Sequence, residues 1–168
     1  MLKVLIAIDG SDRSLDAVQH ALKLVQKGLQ AEFLLANVQE PASLYELVTS
    51  RDPDAIAAAS LEAGQHLIAP ALALLQAAGL TCDTEVGMGD PAHTLIDIIE
   101  NTGCDLVLIA ARGQGAIASV LLGSVSQELA HSCPVPVTIV HHVQPEMEPE
   151  DLDDDPSEVD TLEQFRGA

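Results

Sequence analysis

Five short apolar runs recur along the chain, each stopped by polar or turn-forming residues, and the stretches between them carry apolar positions at helical spacing. Leu2 to Ile8 (LKVLIAI) is rich in large aliphatic residues and ends at Asp9-Gly10-Ser11, which predicts a strand buried on both faces. Ser11 or Asp12 can cap the helix that follows, whose stripe is Leu15, Val18, Leu22 and Val25 and whose end is Gly28. Phe33 to Val38 (FLLANV) predicts a second buried strand. After a polar stretch from Gln39 to Asp52, the Ala/Leu-rich segment from Ala55 to Ala78 predicts a helix kinked or broken by Gly64 and Pro70. Thr81 to Val86 alternates weakly and predicts a third strand. Asp90-Pro91 supplies a capping carboxylate and a first-turn proline, opening a helix that buries Leu95, Ile98 and Ile99. Leu106 to Ala111 predicts a fourth strand, followed by a Gly-rich loop and a helix to about Ala130, and Val135 to His141 predicts the last strand.

Strands alternating with helices mean right-handed βαβ units and a parallel sheet covered on both faces. Five strands place the chain among the α/β folds with an open, doubly wound sheet, where ligands sit beyond the carboxyl ends of strands at the point where strand order reverses. Two loops qualify: one starting at Asp9, after the first strand, and one starting at Arg112, after the fourth.

Periodicity stops after Val143. Residues 144 to 168 hold ten of the 26 acidic residues and one of the seven basic ones, with few large apolar side chains, and read as an acidic, disordered tail. Leu162 and Phe165 have the spacing of one helical turn, as a docking segment would, although a solvated tail explains them as well. The body before the tail is acidic too, so a formal net charge of −19 opposes nucleic acid and anionic membrane surfaces. No apolar run is long enough for a membrane span, and the opening MLKVLIAIDGSD turns polar too soon for a signal peptide. Cys82, Cys104 and Cys133 are scattered and odd in number, which suits a reducing cytoplasm. His131, His141 and His142 make no metal-ligand spacing with Cys133, so no metal site is expected from them.

The segment most suggestive of chemistry runs from Ala110 to Ser126 (AARGQGAIASVLLGSVS). Gly113 and Gly115 directly follow a predicted strand, and nine residues separate Gly113 from Gly123-Ser124. Glycines let backbone N–H groups approach an anion, and hydroxyls beside them add donors, so two such points along one loop-helix segment suit a polyphosphate. Taken singly, Asp9-Gly10-Ser11 is explained by a turn with a helix cap, and Gly123-Ser124 by close packing.

This segment resembles the signature of the universal stress protein family, Gly-x-x-Gly followed by nine residues and Gly-Ser or Gly-Thr, with Ala110 in place of the first glycine. Three further segments resemble the family in order and spacing: LKVLIAIDGS at Leu2–Ser11, GMGDPA at Gly87–Ala92 and CPVPVTIV at Cys133–Val140. The resemblance implies a universal stress protein domain over residues 1–143 with the tail outside it. It also implies a Rossmann-like sheet of the adenine nucleotide alpha hydrolase kind in the order 3-2-1-4-5. It implies further that Ala7, Ile8 and Asp9 line an adenosine site, that Val38 contacts adenine, and that Ala110, Gly113, Gly123, Ser124, Val125 and Ser126 surround phosphates. Arg112 is the sole basic residue of the loop and can meet a phosphate or point to solvent. The ligand expected is ATP, or ADP or AMP, with or without Mg2+ or Mn2+. A homodimer paired through Val137–Val140 is expected, acting on a regulated protein such as a transporter or kinase.

Familiar catalytic patterns are absent: there is no phosphate-loop lysine motif, no Gly-x-Gly-x-x-Gly and no Gly-x-Ser-x-Gly. With one arginine and no lysine to offset transition-state charge, efficient phosphoryl transfer is not expected. The sequence therefore points to a cytoplasmic protein that binds ATP as a regulatory ligand. The alternatives are a nucleotide-free dimeric adaptor and a slow ATPase.

Overall fold

The computed structural model describes residues 1–41, 53–111 and 122–142. Among them, five strands and four helices alternate: β1 (Leu2–Ala7), α1 (Ser14–Gln26), β2 (Ala31–Gln39), α2 (Pro53–Ala77), β3 (Cys82–Met88), α3 (Pro91–Thr102), β4 (Leu106–Ala110), α4 (Ser124–Ser132) and β5 (Val137–Val140). The strands form one sheet in the order β3-β2-β1-β4-β5, with every neighbouring pair parallel. The expected architecture and strand order are therefore found.

The aliphatic runs are buried on both faces because each face carries a pair of helices. On one side Val4, Ile6, Phe33, Leu35 and Leu108 of the sheet meet Ala17, Val18 and Ala21 of α1 and Ile68, Ala71 and Leu75 of α2. On the other, Leu5, Ala7, Leu34, Ala36, Val107 and Ile109 meet Leu95, Ile98 and Ile99 of α3 and Leu129 of α4. Each large aliphatic side chain so removed from water contributes about 1.5–3 kcal/mol before the entropic costs of folding.

Two expectations change. The last strand is shorter than Val135–His141, beginning at Val137; Pro136 has no N–H to give, although its carbonyl still accepts from the Val107 N–H at 3.0 Å. The long helix is not broken: α2 runs 25 residues through Gly64 and Pro70. Pro70 lies on the exposed face, where water can hydrate the carbonyl one turn back that loses its donor. Gly64 is buried, and a Cβ there would stand 2.4 Å from Val86 Cγ1 and 2.9 Å from Asn37 Oδ1. The glycine is a point of close approach between helix and sheet.

Two devices place the turns at the carboxyl edge. Asp90 caps α3, its carboxylate accepting from the His93 N–H at 3.0 Å, with Pro91 in the first turn as expected. The His93 backbone N–H, and after it the His93 ring 2.8 Å away, hold the Asp90 carboxyl below the ordinary carboxylate range. At α1 the cap expected of Ser11 or Asp12 is not found: the capping position is Arg13, with no side-chain cap, and Ser11 Oγ instead accepts from the Ser14 N–H at 3.2 Å in the turn that leads into the helix.

Candidate functional site

The pairing of β1 with β2 continues to Ala7↔Ala36, but its pairing with β4 ends at Ile6↔Leu108, while β4 continues along β5 to Ala110↔Val140. The carboxyl ends of β1 and β4 therefore part. The chain leaves β1 for α1 on one face and, after β4, returns through α4 on the other, which makes this the switch point of the sheet.

On the β1 side, Ala7 and Ile8 are buried, and Asp9 begins a tight turn. Its carboxylate accepts from the Ser11 N–H at 3.0 Å and from Ser11 Oγ at 2.6 Å. Gly10 has φ +80°, a left-handed conformation that favours glycine, and a Cβ there would meet Leu67 Cδ2 of α2 at 2.4 Å. So Asp9-Gly10-Ser11 is a turn, as its simplest explanation held, though without the helix cap, and it also sets a carboxylate at the edge of the opening.

On the β4 side, Ala110 and Ala111 are each 6% exposed. The Gly123 N–H donates to the Ala111 carbonyl at 2.7 Å, and Ser126 Oγ reaches the same carbonyl and that of Gly123 at 2.9 Å each. These bonds tie the first turn of α4 to the end of β4. The Gln127 N–H closes that turn on the Gly123 carbonyl, so the N–H groups of Ser124, Val125 and Ser126 have no helical carbonyl to bond. A helix start with such donors and the positive end of the helix dipole is suited to an anion. Ser124 is exposed and Val125 half-buried, but Ser126 is 2% exposed with its hydroxyl turned to carbonyls, so its side chain anchors the turn. By the alternation of β4, the Ala110 methyl shares the face of Leu108, under α1. Arg112 and Gly113 lie outside the described residues.

The structure thus brings Ala7, Ile8, Asp9, Ala110, Gly123, Ser124, Val125 and Ser126 to one edge of the sheet. Val38, half-buried on β2, packs on the α3–α4 face, and its register partner is Gly87. Two residues not singled out from the sequence belong beside these. Asn37, 2% exposed, donates its Nδ2–H to the Ile8 carbonyl at 2.7 Å and takes the Gln39 side-chain amide on Oδ1 at 2.6 Å. Leu67 lies against Gly10. Asn37 has a signal in the sequence: it is a polar residue inside an aliphatic strand, and a buried amide needs a partner. Leu67 has none, because its role depends on where α2 crosses the edge.

Among the described residues no three His, Cys, Asp or Glu side chains stand together as metal ligands would, and no helix is long and apolar enough to cross a membrane. At the far edge of the sheet, burial, and after it the neighbouring Asp83, push the Cys82 thiol above its ordinary range.

An open, doubly wound parallel sheet whose switch point is flanked by a carboxylate turn and a helix N-terminus defines a Rossmann-like α/β protein. The universal stress protein family model matches residues 1–141, and the chain belongs to that family. It is 28% identical over 138 residues to universal stress protein MJ0531 of Methanocaldococcus jannaschii, covering 82% of this chain and 81% of that one. A crystal structure of a universal stress protein in complex with cAMP superposes with a TM-score of 0.64 at 27% identity, covering 84% of this chain and 98% of the other. A family protein from Arabidopsis thaliana with AMP bound gives a TM-score of 0.62 at 18% identity over 89% of this chain and 98% of its own, a likeness of fold.

Proposed function

We propose that this protein binds an adenine nucleotide, ATP, ADP or AMP, at the opening between β1 and β4, as a regulatory ligand rather than a fuel. The observation that carries this reading is the delivery of the α4 N-terminus, whose first N–H donors have no helical carbonyl to bond, to the end of β4, across the switch point from Asp9. The cAMP complex of a relative sharing 27% identity supports the adenine class. The donors of α4 face phosphate, and the turn at Asp9 faces the nucleoside. Mg2+ or Mn2+ would enter with the nucleotide's own phosphates. Catalysis is not part of the reading: the phosphate segment has one arginine and no lysine, and general acid–base groups are sparse around it. Regulation is exerted in the cytoplasm on a partner protein, through a homodimer. β5 (VTIV) has no charged residue, whereas the opposite edge, β3, carries Asp83 and Glu85, charges that blunt strand pairing.

The test is calorimetric titration of the nucleotide-free protein with ATP and AMP, alongside Ser124→Pro. Proline is tolerated at the first helical position, and Gly123 already has the extended conformation (φ −75°, ψ 161°) that a following proline requires. The substitution removes one N–H and one hydroxyl without unfolding the helix. Micromolar ATP binding by the wild type, weakened ~10-fold or more by Ser124→Pro, is expected for losing hydrogen bonds to a charged group. A wild type that binds neither nucleotide at millimolar concentration overturns the reading and leaves a nucleotide-free adaptor.

A further inference from the structure

The end of β1 is held by a side chain where the strand pairing stops. The paired positions of β1 and β2 finish at Ala7↔Ala36. One residue on, the Ile8 N–H still donates to the Ala36 carbonyl at 2.8 Å, while the Ile8 carbonyl receives the Asn37 Nδ2–H at 2.7 Å. Both backbone polar groups of Ile8, the residue just before Asp9, are therefore fixed by β2, one of them by a side-chain amide acting as a substitute for a backbone donor. That amide is itself held in place. Its oxygen accepts from Gln39 Nε2 at 2.6 Å, and Gly64 of α2 leaves no room beside it, since a Cβ there would be 2.9 Å away. One turn along the same helix, Leu67 packs against Gly10, on the other side of Asp9.

We infer that Asn37 is a positioning residue of the site: through the Ile8 carbonyl, and backed by α2, it sets where the Asp9 carboxylate stands. The inference rests on the nucleotide reading for its consequence, because a well-placed Asp9 matters to the nucleoside half of the ligand. It does not rest on that reading for its geometry. Asn37 is remote in role from the α4 donors, so it governs one half of the site only.

The experiment uses the full chain with Asn37→Leu, which keeps the branching of the side chain and removes the donor, and Asn37→Asp, which turns an acceptor toward the Ile8 carbonyl. The probes are adenosine for the Asp9 half and inorganic tripolyphosphate for the α4 half. Expected for Asn37→Leu is a loss of about tenfold in adenosine affinity, the scale of one misplaced hydrogen bond, with tripolyphosphate affinity kept within about twofold. A purely structural role would weaken both together, and that result, or no change in either, overturns the inference. Amide hydrogen exchange of Ser11, whose N–H reports the Asp9 carboxylate directly at 3.0 Å, gives the second readout in protein without ligand. It should accelerate about tenfold or more in the variant, and unchanged exchange overturns the positioning role even if the wild type binds no nucleotide. Should Asn37→Asp fail to fold, Asn37→Leu decides alone.

Discussion

Gly64→Ala tests the account of α2 most directly, because local and tertiary physics give it opposite signs. In a helix interior an alanine is worth about 1 kcal/mol more than a glycine. An exposed site would gain that amount. Here the new methyl would lie 2.4 Å from Val86 Cγ1 and 2.9 Å from Asn37 Oδ1. Carbon atoms rest at about 3.5–4.0 Å, so the first contact is short by roughly an ångström. Val86 is β-branched and stiff, and Asn37 is committed to Ile8 and Gln39, so neither can swing away freely. Forcing a methyl into a filled interface costs about 1–3 kcal/mol, which leaves a net destabilisation of about 1 kcal/mol. The assay is urea unfolding, reading the midpoint at constant m-value. Val86→Ala opens the space, so in that background Gly64→Ala should become neutral or stabilising, with a coupling of about 1–2 kcal/mol in the double-mutant cycle. A higher midpoint for Gly64→Ala alone would show that the helix does not press on the sheet at this point, and the account of why a glycine interrupts an alanine-rich helix would fall.

Val137→Pro tests the dimer edge. The Val107 N–H bonds to the Pro136 carbonyl and the Ala111 N–H to that of Val140, so alternation turns the Val137 N–H away from β4 toward the free edge. Proline there spares the β4–β5 ladder but blocks pairing with a second copy; the variant should sediment as a monomer where the wild type is a dimer, and an unchanged dimer excludes this edge. Asp90→Asn tests the α3 cap. A carboxyl held low by the folded state adds stability that is present above the unfolded pKa of about 4 and is lost as pH falls through the lowered folded value. Asparagine caps as well and does not titrate, so the variant's melting temperature should fall less between about pH 5 and pH 2 than that of the wild type. Parallel curves would show that His93 gives this carboxyl no preference for its charged form.

The order and type of the elements were legible because aliphatic strands buried on both faces leave a continuous apolar signal, and because Asp90-Pro91 announces a helix in two residues. The ends of β5 were less so: Val135 is as apolar as Val137, and only the missing N–H of Pro136 separates them. Continuity of α2 could not be read, since the sequence shows that Gly64 and Pro70 are poor helix formers but not that one faces Val86 and the other faces water. At the site, Asp9 and Gly123-Ser124 stood out by their residue types next to strands. Ser126 showed a hydroxyl but not its direction, which the structure turns to the Ala111 carbonyl. Asn37 showed as a polar residue inside an aliphatic strand, but its partner did not: that partner is a backbone oxygen 29 positions away, and backbone atoms leave no mark in a sequence.

The charge of the chain sharpens the argument about the site. With a net charge of −19, the protein's field repels nucleotides at long range, so nothing like the basic funnel of a cationic phosphate site can gather them. Whatever attraction exists must be local, and the dipole of a helix end is local, fading within about one turn. An anion site of that kind works only if its donors are fixed in advance, because there is no surplus of charge to tolerate misplacement. The two Ala111 carbonyl bonds that seat α4 and the Asn37 amide that seats Asp9 are then two halves of one requirement, and each spends a buried polar group on backbone geometry. An acidic chain binding an acidic ligand depends on such placement, which is why single hydrogen bonds at Ser124 and Asn37 are the substitutions that bear on function.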